Sequence, residues 1–157
     1  MSDGKGKGVN ESERYLSVLC RSTFLSPWSF TNVFRAPLKE LTDLLVVFGN
    51  DVILFSDKSC AFPNSGNLDL DWARWYRRAI KKSAEQLWRA ERWLREHPQR
   101  VFLDASCSTP LPLPIPSREA IRIYLILVAH GASDRCRAIL GGTGSLMIDS
   151  SILGGQH

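Results

Sequence analysis

The chain lacks most of the features that would assign it quickly. No uninterrupted apolar run approaches the ~18–20 residues that a membrane-spanning helix requires, so no helical span is expected. The opening stretch, MSDGKGKGVNESE, has no apolar core of the secretory type, which makes a cytoplasmic location the expectation. Four cysteines, Cys20, Cys60, Cys107 and Cys136, are widely scattered with no C-x-x-C pair. That spacing argues against a zinc site and for reduced, buried thiols. The glycines of the C-terminal GGTGS are not followed by Lys-Ser or Lys-Thr, which excludes a phosphate-binding P-loop. No Ser or Cys motif accompanies His130, so a hydrolytic triad is not indicated and His130 reads as a structural residue at a strand end.

What is present is one domain's worth of chain. With 157 residues, 44% hydrophobic and 23% charged, it is long enough for a real core and ordinary in composition for a globular domain. The net charge of +4 is a mild basic excess, compatible with a nucleic-acid partner without requiring one. The most informative stretch is 41–60, LTDLLVVFGNDVILFSDKSC. Two apolar runs rich in Val, Ile and Phe flank Gly49-Asn50, the signal of a tight hairpin. The hairpin is apolar to its tip. Its ionisable side chains gather at the open end: Asp43 before the first run, and Ser56, Asp57 and Lys58 after the second.

The turn length decides which of these meet. A two-residue loop pairs Phe48 with Asp51 and sets Asp43 opposite Ser56, with Lys58 one diagonal step away on the same face and Asp57 on the other. A three-residue loop with a bulge reverses the parity and brings Asp57 to Asp43. Two carboxylates on one face can hold a divalent cation, and a neighbouring lysine can orient water or stabilise developing negative charge.

In this order the residues resemble the PD-(D/E)xK, or restriction-endonuclease-like, nuclease superfamily. Its pattern is an Asp entering a strand, a hairpin, and then a carboxylate, any residue and Lys on the next strand. Asp43 matches the first Asp and Lys58 the Lys, and the similarity runs from about residue 11 to residue 131. Ser56 stands where the family usually has Asp or Glu, and Asp57 is one position late. Asp69, Asp71 and Glu85 are the other acids that could be recruited. By resemblance, Glu13 is the glutamate of the preceding helix and Gln86 the polar residue of the following one. The implied metal ligands are Asp43, Asp57 and Glu13, the implied cofactor is Mg²⁺ or Mn²⁺, and the implied reaction is hydrolysis of DNA phosphodiester bonds.

The rest of the chain supplies the frame. Residues 1–10 read as a disordered tail and 11–25 as a helix, in which Glu11 and Glu13 also suit the helix dipole. Residues 26–37, bounded by prolines, read as a loop or a short edge strand. Residues 71–97 form the longest helix, with Trp72, Tyr76, Ile80, Leu87 and Leu94 at helical spacing and Asp69 or Asp71 as the cap. It carries eight cations against four anions, an excess equal to that of the whole chain. Arg74, Arg77, Arg78, Lys81 and Lys82 have no anion among them and read as a phosphate-contacting face, with Trp75 or Trp93 available for base stacking. Residues 100–104 read as a short strand. The proline-rich 106–117 reads as a stiff crossover whose Leu111, Leu113 and Ile115 cover the core edge, and 120–129 as a buried strand. A short helix over 133–140 precedes a Gly-rich tail, 141–157, that suggests a shortened version of a longer protein.

The expectation is an α/β or α+β domain over 11–140, with a mixed central sheet built around the hairpin and flanked by helices. Its leading function is that of a Mg²⁺-dependent DNA nuclease. The alternatives are a catalytically degenerate nucleic-acid-binding module and a protein-interaction subunit or homodimer that uses the proline-rich segment and the tail.

Overall fold

A computed structural model of the protein describes residues 26–144, together with 14–15, 18 and 22–23. Among them four strands, β1 (Ser29–Ala36), β2 (Lys39–Phe48), β3 (Asp51–Ser59) and β4 (Arg122–His130), lie side by side in chain order. The first three form an antiparallel meander, and β4 returns parallel to β3. A helical arm of α1 (Leu68–Tyr76), a π turn (Arg77–Lys81) and α2 (Lys82–Glu96) makes the crossover, and α3 (Ser133–Leu140) follows β4. The expected mixed α+β architecture, with the hairpin inside the sheet, is therefore present.

Gly49 sits at φ +58, a conformation that costs a glycine little, and it permits the two-residue turn. Pairing then runs from Phe48↔Asp51 to Leu44↔Phe55, as the shorter loop requires. Alternation sends Leu45, Val47, Val52 and Leu54 to the helical side, where they pack with Leu87, Ala90, Leu94, Val101 and Ile121. Leu44, Val46 and Phe55 form a separate cluster with Ile53 and Val128. Leu111, Leu113 and Ile115 of the proline-rich segment pack at the margin of the main core, as expected.

The helical arm starts earlier than its acids suggest. Asn67, not Asp69 or Asp71, caps α1, its side chain accepting from the Leu70 N–H at 3.0 Å. Asp71 is fully buried and accepts from the Ser65 N–H and hydroxyl, both at 2.8 Å. From Asp71 to Leu87 the buried positions of the arm are Asp71, Trp75, Ala79, Ser83 and Leu87, a spacing of four repeated four times. An α-helix turning 100° per residue would carry the last of these about 160° away from the first. The π turn adds one residue to a turn and takes back about 100° of that drift. It thus keeps one face on the sheet along the whole arm.

Residues 100–104 do not form a strand. Phe102 makes only isolated bridges, to Phe34 and to Pro110, because Asp104 turns the chain by accepting from Ser106, Ser108 and Thr109. Residues 26–37 resolve into a 3₁₀ turn (Ser26–Trp28) followed by β1. Among the described residues, no helix is long and apolar enough to cross a membrane.

Candidate functional site

The β2–β3 ladder closes at Leu44↔Phe55, and beyond it side chains take over from backbone. The Thr42 hydroxyl donates to the Phe55 carbonyl at 2.5 Å, and the Asp43 carboxylate accepts from the Asp57 N–H at 2.6 Å. Asp43 follows Leu45 and Val47 in the alternation, and Ser56 follows Val52 and Leu54, so the hydroxyl lies beside the Asp43 carboxylate. Burial pushes the Asp43 carboxyl above its ordinary value, against the Asp57 N–H hydrogen bond that favours the ionised form, and the negative charge of Asp57 raises it further. Lys58, exposed on the next residue but one from Ser56, partly offsets this.

Asp57 alternates with Ile53 and Phe55, and its carboxylate turns the other way. Its side chain is 0% exposed and lies 2.7 Å from Nε2 of His130, whose own side chain is 43% exposed. The parallel register places Ser59 beside His130 and so brings this histidine to the polar end of the hairpin. The end is locked from the other side. The Cys60 N–H donates to the His130 carbonyl at 3.2 Å, and the Cys60 carbonyl accepts from Nε1 of Trp75 at 3.0 Å.

The structure thus brings together Asp43, Ser56, Asp57 and Lys58, and adds His130, which sequence reasoning set aside as structural. Its partner is 73 residues away. Only the β3–β4 register reveals the pairing. Glu13 lies outside the described residues. Gln86 is half-buried on the arm and makes no hydrogen bond to Asp43 or Lys58. Asp71, one of the acids considered for recruitment, is committed to Ser65, and Asp69 and Glu85 are exposed and half-buried on the arm.

Mg²⁺ is commonly held by one or two carboxylates with several waters retained, so Asp43 alone meets its minimum chemically. Asp57, however, is already committed to His130, and no group of three potential ligands occurs among the described residues. The donor set fits a weak site rather than a preformed cage.

The second element of the site is the arm. The face opposite its buried positions exposes Arg74, Arg77, Arg78, Lys81 and Lys82, and among the described residues none of the five enters an ion pair. The buried spacing throws four of them outward in adjacent pairs, Arg77-Arg78 and Lys81-Lys82. The π turn holds Ala79 against Trp75, Ala132 and Cys136, beside Cys60 and Ala129. This half of the arm therefore stands at the same end of the sheet as Asp57 and His130. Trp75 does not serve for stacking: it is buried and its indole N–H is occupied. Trp93 is flanked by the guanidinium groups of Arg35 and Arg100, 5.3 and 5.2 Å from its ring centre, and by His97.

Comparison with protein-family models, with curated proteins and with solved structures found no match.

Proposed function

We propose that this chain is a nucleic-acid-binding domain of nuclease-like design, holding a phosphodiester backbone on the cationic first half of its helical arm. The observation that carries the reading is the set of five exposed cations, unpaired among the described residues, beside the polar end of the hairpin. An arm stabilised for its own sake would lace such charges with acids at i+4, as Glu91 and Arg95 do at 2.9 Å further along. Here the charge is left for an external anion. Ser56 rather than an acid lies beside Asp43, which favours binding over hydrolysis.

The test is the salt dependence of binding to a labelled DNA, followed by fluorescence anisotropy. Affinity should fall steeply between about 50 and 200 mM salt, because each neutralised phosphate releases counterions. Replacing Arg74, Arg77, Arg78, Lys81 and Lys82 with Gln should flatten the slope by about one for each cation that contacts phosphate. Absence of binding at low salt, or an unchanged slope in the five-fold variant, would sink the reading.

A second reading, Mg²⁺- or Mn²⁺-dependent hydrolysis, is favoured by the repulsion between Asp43 and Asp57, which a bound dication would relieve. Asp43 would then hold the ion, which would supply an activated water, and Lys58, on the same face, would steady the charge on phosphate, while Asp57, turned to the other face and bonded to His130, would act through its charge alone. Calorimetric titration of Mg²⁺ or Mn²⁺ into wild type and Asp43→Asn separates the two readings. Binding in the first that vanishes in the second supports hydrolysis. Binding in neither returns the hairpin to a non-catalytic role.

A further inference from the structure

We infer that the arm discriminates in favour of single-stranded nucleic acid and that Trp88 is the side chain on which a base stacks; this rests on the nucleic-acid reading above and names its substrate class. The five tryptophans make the case by contrast. Trp28 packs edge-on against Phe48 at 5.3 Å between ring centres. Trp72 and Trp75 pack against each other at 5.8 Å and against Phe62. Trp93 is held between two guanidinium groups and His97. Trp88 alone, among the described residues, has no ring, cation or hydrogen-bond partner, and 59% of its surface is exposed.

Its position gives that exposure a direction. Leu87 and Ala90 beside it are buried, so Trp88 and Arg89 point away from the sheet, as Arg77, Arg78, Lys81 and Lys82 do earlier in the arm. Lys81 and Trp88 are seven residues apart, two turns of helix and hence on one side, and exposed Arg92 follows one turn later. The stripe therefore runs from exposed Lys81 past half-buried Glu85 to the indole and on to exposed Arg92, with Glu91 beside it engaged by Arg95. Packing does not demand Trp at an exposed helix position, where Glu, Lys, Arg or Gln has the better helix propensity and leaves no apolar plate in water. Cations tracking a backbone with an aromatic plate between them are the chemistry of single-strand binding. A duplex keeps its base faces stacked inside and offers such a plate nothing.

The experiment compares a labelled oligothymidine with a duplex of the same length, using the full chain, its Trp88→Ala and Trp88→Phe variants, and anisotropy as the readout. Wild type should bind the single strand about tenfold more tightly than the duplex, within the range of one stacked base. Trp88→Ala should remove most of that preference, Trp88→Phe should keep most of it, and thermal melting should show all three folded. Equal affinities for the two DNAs, or a preference that Trp88→Ala leaves intact, would overturn this inference while the salt-slope result on the five cations still stood. Absence of binding to either DNA would overturn both.

Discussion

Asp51, at the closed end of the hairpin, and Asp43, at its open end, are the same side chain on paired strands, and the fold treats them in opposite ways. Asp51 is half-exposed at the sheet's end and receives a bidentate hydrogen bond from Arg122, both contacts at 2.7 Å. That guanidinium holds its carboxyl below the ordinary range. Asp43 is half-buried, receives a backbone N–H and lies near the charge of Asp57, and its carboxyl is pushed up. One end clasps β4 to the hairpin. The other keeps a carboxylate where it is uncomfortable. Local discomfort of that kind is characteristic of functional sites, and the rest of the sheet must be rigid enough to impose it.

The largest expected effect is at Gly131, which closes the open end. At φ +104, a Cβ built there would lie 2.1 Å from the Cys60 carbonyl oxygen. Relief would require parting β3 from β4 where the Cys60 N–H meets the His130 carbonyl. Gly131→Ala should therefore cost about 3 kcal/mol or more in chemical denaturation. A smaller loss would mean that the open end is softer than the comparison requires. Next comes Asp57→Ala. It removes a buried acceptor from His130 and should cost about 1–3 kcal/mol, with the His130 ring becoming mobile by NMR relaxation. An unmoved His130 resonance would show that the pair does not organise this end.

The hairpin was legible because each signal in it agreed: Val, Ile and Phe in alternation, Gly-Asn at the turn, and no polar residue before the tip. Those residues narrow the register to two parities, and the two-residue turn at Gly49 selects the one in which Asp43 meets Ser56. The pairing of His130 with Asp57 was not legible, because it depends on how β4 slides along β3, and no local pattern encodes that. Trp75 was misjudged as a stacking surface for a related reason. Helical periodicity at 3.6 residues gives no warning of a π turn, and the π turn is what keeps Ala79 and Ser83 inward and so settles which tryptophan is buried. At 100–104, apolar content suggested a strand, but Asp104 folds the following residues into a turn by accepting from the Ser106, Ser108 and Thr109 N–H groups, and the pairing of Phe102 stays at isolated bridges.

Asp43→Asn sharpens the contrast with a change of sign. A carboxyl raised above its unfolded value of 3.8 leaves the folded state most stable at low pH, and stability falls as pH rises through the folded value. The amide oxygen can still accept from the Asp57 N–H, without the buried charge. The variant should therefore be more stable than wild type at neutral pH, and its advantage should shrink as pH falls through the raised folded value and be gone below 3.8. A variant less stable at neutral pH would mean that the hydrogen bonds to the ionised carboxylate outweigh its burial, and the open end would then be a structural clasp like the closed one.

The smallest effect belongs to Asp51 and Arg122. Arg122 is exposed and Asp51 half-exposed, so solvent and salt screen the pair despite its good geometry. Because the folded carboxyl lies below its unfolded value, whatever the pair contributes is present above 3.8 and is lost as pH falls through the lower folded value, the reverse of Asp43. A double-mutant cycle with Asp51→Asn and Arg122→Gln should show a small coupling that fades in high salt. A coupling that survives salt would mark the closed end as desolvated, and the two aspartates would then differ only in their partners and not in their exposure to water. That outcome would remove the reason for treating Asp43 as the functional one.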